Sequence, residues 1–138
     1  HVTHPDELST ESKKAILSLA NADIPLGSQS VLLKGINDDF VTLKTLFEEL
    51  VSIKVKPYYL YQRDKVQGCE HFITDVRKGI RLINELCNQI SGFALPKFVV
   101  DTPEIGKTVL APCSITGIDG NLIYLANGNE RCVYHSPQ

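Results

Sequence analysis

Asp64, Asp101 and Lys107 are the residues of this chain whose types and placement best suit chemistry. Asp64 closes the run Tyr58-Tyr59-Leu60-Tyr61-Gln62-Arg63, and Asp101 follows Phe98-Val99-Val100. Each run is rich in Val, Tyr or Phe and reads as a buried strand that leads directly into a carboxylate. Functional groups collect where parallel strands end, so carboxylates at two successive strand exits lie on one rim. Such a pair suits metal ligation, acid–base work or the binding of an ammonium. A plainer reading also stands: each aspartate caps the loop that follows it, and Asp101 before Thr102-Pro103 is a good turn acid. Lys107 follows Gly106 in the loop that begins at Asp101. A glycine-flanked loop lysine on a flexible stem suits a Schiff base with a carbonyl cofactor, because it can swing away when substrate displaces it. Tyr58, Tyr59 and Tyr61 should alternate faces, leaving at least one in the core; Tyr61, nearest the rim, is the one expected to touch a ligand.

Other candidates are weaker. The loop Asp64-Lys65-Val66-Gln67-Gly68-Cys69-Glu70-His71 offers His, Cys and Glu, and His71 is the nearest third ligand for the aspartate pair. It supplies too few ligands at fixed spacing for a metal site, and no metal is expected. The cysteines at 69, 87, 113 and 132 form no CxxC pair and no zinc or cluster spacing. They read as isolated reduced thiols in or near a core.

The elements that must position these groups alternate. Ser9 or Thr10 caps a helix to about Ala22, with Ala15, Ile16 and Leu19 as its apolar stripe. Asp23-Ile24-Pro25-Leu26-Gly27 breaks it, and Ser30–Lys34 reads as a short strand. Asn37 or Asp38 caps a second helix with Phe40, Leu43, Phe47 and Leu50 at helical spacing, followed by a strand from Val55 through Tyr61. Thr74 caps a third helix whose buried face is Val76, Ile80, Ile83, Leu86, Cys87 and Ile90, and Lys97–Asp101 is the third strand. Alternation of this kind implies parallel strands joined by right-handed crossovers, hence an α/β fold, open sheet or barrel. After Pro103, Val109–Ala111, Leu122–Leu125 and Cys132–Tyr134 read as small hairpin strands appended to that body, with turns at Asp119-Gly120-Asn121 and Asn127-Gly128-Asn129. The expected division is residues 1–102 for the α/β units and 103–138 for the lysine loop and β extension.

The chain has 138 residues, is 43% hydrophobic and carries a formal charge of −2. That is enough for one real core and gives no basic footprint for nucleic acid. No apolar run approaches a membrane span, and a cytoplasmic protein is expected. The chain contains no methionine and opens on His1-Val2-Thr3-His4, so it reads as a piece of a longer protein.

Five stretches together carry a resemblance: His4-Pro5-Asp6-Glu7, Ile24 through Asp38, Pro57 through Gln62 with Asp64, Ser91 through Pro96, and Phe98 through Asp101. In register over about the first 110 residues, the chain resembles the C-terminal portion of the lysine 2,3-aminomutase family, radical-SAM enzymes that also use pyridoxal phosphate. The resemblance implies the C-terminal part of a radical-SAM partial (β/α) barrel and the interchange of L-lysine and L-β-lysine. In the family a 5′-deoxyadenosyl radical from S-adenosylmethionine, generated at a 4Fe–4S iron–sulfur cluster, acts on the lysine aldimine of pyridoxal phosphate. By position, Lys107 matches the lysine that binds pyridoxal phosphate, and Asp64 and Asp101 match the pair that holds the substrate ammonium. Gln29, and with it His1, falls near S-adenosylmethionine. The cluster ligands are expected outside this chain, so that this piece alone is inactive.

Two departures accompany the resemblance. The glycine-rich stretch before the lysine is here Pro103-Glu104-Ile105-Gly106, shorter and no longer polyglycine. Asp39 stands where lysine-fermenting members have a zinc-binding cysteine, so no structural zinc is expected. Asp64–Gly68 also resembles the related enzyme that acts on lysine for elongation factor P modification; Asp101 favours the free-lysine mutase. The acidic pair itself fits lysine, since it would repel a glutamate side chain. A non-catalytic folded module is the reading of a different class. The expected partners are a small-molecule substrate and other copies in a homo-oligomer, with neither nucleic acid nor membrane.

Overall fold

A computed structural model of the chain describes residues 1–63, 68–112, 114–127 and 130–136. The order is α1 (Thr10–Asn21), β1 (Leu26–Leu32), α2 (Phe40–Ser52), β2 (Val55–Gln62), α3 (Val76–Leu86), β3 (Lys97–Thr102) and β4 (Gly106–Ala111). Three further strands follow: β5 (Ile115–Asp119), β6 (Leu122–Asn127) and β7 (Glu130–His135). Strands β1 to β4 form one sheet in sequential order, with β1, β2 and β3 parallel and β4 antiparallel to β3. Strands β5 to β7 form a second, antiparallel sheet. The molecule is therefore α/β with a mixed sheet, as the alternating pattern requires, plus the small sheet near its end.

Right-handed crossovers between strands taken in order put their helices on the same face of the sheet. Here Leu43, Leu46, Phe47 and Leu50 of α2 and Leu82, Ile83 and Leu86 of α3 meet Leu32, Val55, Leu60 and Phe98 in one core. Ile16 and Leu17 of α1 rest against it, whereas Leu19, expected on the apolar stripe, is 48% exposed. Gly79 lets α3 lie directly on the rings and methyls of Phe98 and Leu32. On α3, Val76 and Cys87 are exposed; the buried set is Gly79, Leu82, Ile83 and Leu86.

Two caps fall later than the sequence implies, for one physical reason. Asp39, not Asn37 or Asp38, caps α2, its carboxylate accepting from the Thr42 N–H at 2.9 Å. Asn37 is fully buried and spent elsewhere: it accepts from the Leu33 N–H and donates to the carbonyls of Val31 and Thr3. Asp38 is paired with Lys78 at 2.7 Å and accepts from Gly35 N–H. Likewise Asp75 caps α3, and buried Thr74 instead donates its hydroxyl to Asp38. Long-range partners outcompete the local cap because a buried polar group must be satisfied where it lies.

β1 begins four residues earlier than expected, at Leu26. The strand expected at Val109–Ala111 is not part of an appended hairpin unit. It belongs to β4, which completes the main sheet, and the second sheet starts at Ile115 with a strand, β5, that no periodicity indicates. Among the described residues no helix is long and apolar enough to cross a membrane.

Candidate functional site

One face of the main sheet is covered by helices; the other carries the candidate site. Side chains alternate along strands and share a face when they are register partners. β1 and β2 pair as Ser28 with Pro57 and then Gln29 with Tyr59, so Tyr58 is an extra residue, a β-bulge. A bulge re-aims side chains. Pro57 and Leu60 go to the helix side, and all three tyrosines stay out of the core. The strict alternation expected for them, with one packed inside, does not hold. Their rings meet edge to face, Tyr58 to Tyr59 at 4.2 Å and Tyr59 to Tyr61 at 5.7 Å between centroids.

Lys107 lies across this row. Its Nζ is 4.4 Å from the Tyr59 ring centroid and 5.2 Å from that of Tyr61, both within reach of a cation–π attraction. Lys107 sits not in a flexible loop but in β4, directly opposite Asp101 of β3. Pro103-Glu104-Ile105 makes the tight turn between these strands, and Gly106 closes it at φ +69°, a conformation open to glycine. Thr102 braces the turn, its hydroxyl donating to the Gly106 carbonyl and accepting from the Ile105 N–H. Because β4 runs back from the rim where β3 ends, Lys107, Asp101 and Tyr61 converge at the C-terminal end of the parallel strands. The mobility available to Lys107 is that of its stem.

The hydrogen bond with Tyr61 holds the Lys107 ammonium above the usual lysine value. Partial loss of hydration pulls the other way, and Tyr61, Tyr59 and Asp101 add further upward pull. The resting state is thus a protonated amine on an aromatic shelf.

Gln29, the register partner of Tyr59, is on the same side of the sheet but one strand further away. His1 precedes Val2, whose N–H donates to the Gln29 carbonyl at 3.3 Å, so the chain start runs along the outer edge of β1. The structure therefore brings Lys107, Asp101 and Tyr61 together and sets Gln29 and His1 at the far edge. Asp64 lies outside the described residues.

Sequence reasoning missed Tyr59, because a bulge leaves no mark in hydrophobic periodicity; the adjacent pair Tyr58-Tyr59 was the available signal. It also missed the rim clip. Asp38, held by Lys78, Gly35 and Thr74, ties the loop after β1 to the segment entering α3, and Gln62 Nε2 donates to the Thr74 carbonyl at 2.8 Å. Of the cysteines, Cys87 and Cys132 are exposed rather than in or near the core, and Cys69 is half-buried; Cys113 lies outside the described residues. Among the described residues no three His, Cys, Asp or Glu side chains gather as a metal would need.

No family model matches the chain. Its relatives are aminomutases by name. It is 48% identical over 128 residues to L-lysine 2,3-aminomutase of Acetoanaerobium sticklandii, covering 92% of this chain and 31% of that protein. The corresponding protein of Fusobacterium nucleatum is 46% identical over 92% of this chain and 30% of its own length. Glutamate 2,3-aminomutase of Clostridioides difficile is 46% identical over 81% of this chain and 27% of its own length. The chain belongs to the lysine 2,3-aminomutase family and corresponds to a C-terminal portion, spanning about 30% of the relatives it matches.

Proposed function

We propose that this chain is the lysine-bearing portion of a lysine 2,3-aminomutase that interconverts L-lysine and L-β-lysine. The observation that carries the reading is the convergence of Lys107, Asp101 and the tyrosine row on the one sheet face that helices leave open. Strands in sequential order with helices on one side have the character of an arc of barrel wall, so the fold is read as part of a radical-SAM (β/α) barrel whose interior is that face.

The residues fit pyridoxal phosphate in two respects: a primary amine stands on an exposed stem, and ring faces beside it can take a planar heterocycle. When bound, that cofactor supplies an electron-accepting ring, and S-adenosylmethionine with a 4Fe–4S cluster supplies the radical. Lys107 would give up a proton from Nζ and hold the cofactor through its aldehyde carbon. Asp101, together with Asp64, holds the ammonium of the substrate side chain, and the Tyr61 hydroxyl faces the same space. Gln29 and His1 are assigned to the S-adenosylmethionine side, and the cluster ligands to the part of the protein outside this chain. A carboxylate at the rim favours a cationic side chain over the glutamate named for the Clostridioides difficile relative.

The test is direct. The full-length protein is mixed with pyridoxal phosphate, reduced with borohydride and digested, and the modified peptide is sequenced. The reading requires the label on Lys107; a label on any other lysine removes the assignment.

A further inference from the structure

We propose that Tyr59 is a positioning residue for Lys107: its ring face is the seat of the Lys107 ammonium whenever that nitrogen is not bonded to an aldehyde carbon. The proposal rests on the reading above only in taking an aldehyde as the partner of Lys107.

The geometry selects Tyr59 from the row. Tyr59 is on β2, next to β3, whose other neighbour β4 carries Lys107, and its ring lies on the sheet face that the helices leave open. Of the two rings beneath Lys107, that of Tyr59 is nearer, 4.4 Å against 5.2 Å. The rings of Tyr58 and Tyr61 pack against that of Tyr59 at interplanar angles of 61° and 64°, which braces it, and the Lys107 ammonium lies over it. Lys107 is exposed, so apart from its hydrogen bond with Tyr61 the ring face is what keeps its stem from spreading over many rotamers. Charged and titratable groups near it are Tyr58, Tyr59 and Tyr61 on β2 and Asp101 and Lys97 on β3. Asp101 is its cross-strand partner, while Lys97 bears on Tyr58.

The seat has a chemical consequence. To bond to an aldehyde, the Lys107 ammonium releases one proton to solvent, its nitrogen joins the carbonyl carbon, and the carbonyl oxygen leaves as water. A ring face attracts the charged form only. It therefore opposes the forward step at neutral pH and recaptures the amine once substrate has displaced it.

The test compares wild type, Tyr59→Phe and Tyr59→Leu in the full-length protein, reading the pH profile of borohydride trapping of pyridoxal phosphate on Lys107. Phe keeps the face and loses the hydroxyl; Leu loses the face. Tyr59→Phe, which loses only the upward pull of the Tyr59 hydroxyl, is expected to move the midpoint down less than Tyr59→Leu does. Tyr59→Leu should shift it to lower pH and label faster at neutral pH. A Leu variant with the wild-type midpoint, or a Phe variant that shifts as far as Leu, overturns the seat. Labelling of another lysine in wild type overturns the proposed function instead. The seat is then judged by NMR titration of Lys107 without cofactor, where the same larger downward shift in Leu than in Phe is required. Should Tyr59→Leu not fold, Tyr59→Val, better suited to a strand, takes its place under the same criteria.

Discussion

Gly79→Ala tests how β3, and with it Asp101, is held. By helix propensity alone the change should stabilise α3 by about 1 kcal/mol, since glycine is a poor interior helix residue. Packing says the opposite. A Cβ at this position would stand 2.4 Å from Cζ and 2.6 Å from Cε1 of Phe98, and 2.9 Å from Cδ2 of Leu32. Both neighbours are fully buried, so neither can turn aside into solvent. Overpacking a closed core costs about 1–3 kcal/mol, and three overlaps this close place the cost near the top of that range. Set against the propensity gain, the net loss is about 1–2 kcal/mol. For a chain of this size that is a fall in Tm of about 4–8 °C, read by circular dichroism on heating and checked by urea unfolding. Trimming the obstacle should help: in the Gly79→Ala background, Phe98→Leu should cost less than it does in wild type. A Gly79→Ala protein as stable as wild type, or more so, would refute the close-approach argument.

Two further predictions concern the rim. Burial pushes the Asp38 carboxyl up, but the Lys78 hydrogen bond, the Gly35 N–H, the Lys78 charge and the Thr74 hydroxyl together bring it below the ordinary value of 3.8. A depressed carboxyl stabilises fully above its unfolded value and loses that contribution as pH falls through the folded one. Stability should therefore hold down to about pH 4 and drop below it. Asp38→Asn should flatten that acid limb and cost about 1–3 kcal/mol at neutral pH, the lower part of the range being favoured because Lys78 is 42% exposed; an unchanged acid limb in urea titrations would count against the clip. On the proposed function, Asp101→Asn in the full-length protein should raise KM for lysine about 10- to 100-fold, the worth of one charged hydrogen bond, while leaving covalent labelling of Lys107 in place. A KM within about twofold of wild type would remove Asp101 from ammonium binding.

The sequence determined by itself whatever depends on near neighbours along the chain. The Ser9 cap of α1, the apolar spacing of Leu43, Phe47 and Leu50 on α2, and the Val/Tyr/Phe runs of β2 and β3 were all legible. So was the parallel order, because helix–strand alternation admits little else. Asp101 and Lys107 stood out as strand-exit groups, and extended resemblance pointed to their family. Interactions between distant segments were not legible. Asn37 and Thr74 look like caps until their distant partners at Thr3 and Asp38 are known. The three tyrosines look like an alternating strand until register with β1 makes Tyr58 a bulge. Lys107 looks like a loop residue until β4 pairs with β3 and lays its amine over Tyr59. Periodicity reports which side of an element is apolar; pairing register and the partners of buried polar groups exist only once separate elements meet, so tertiary structure alone decided them.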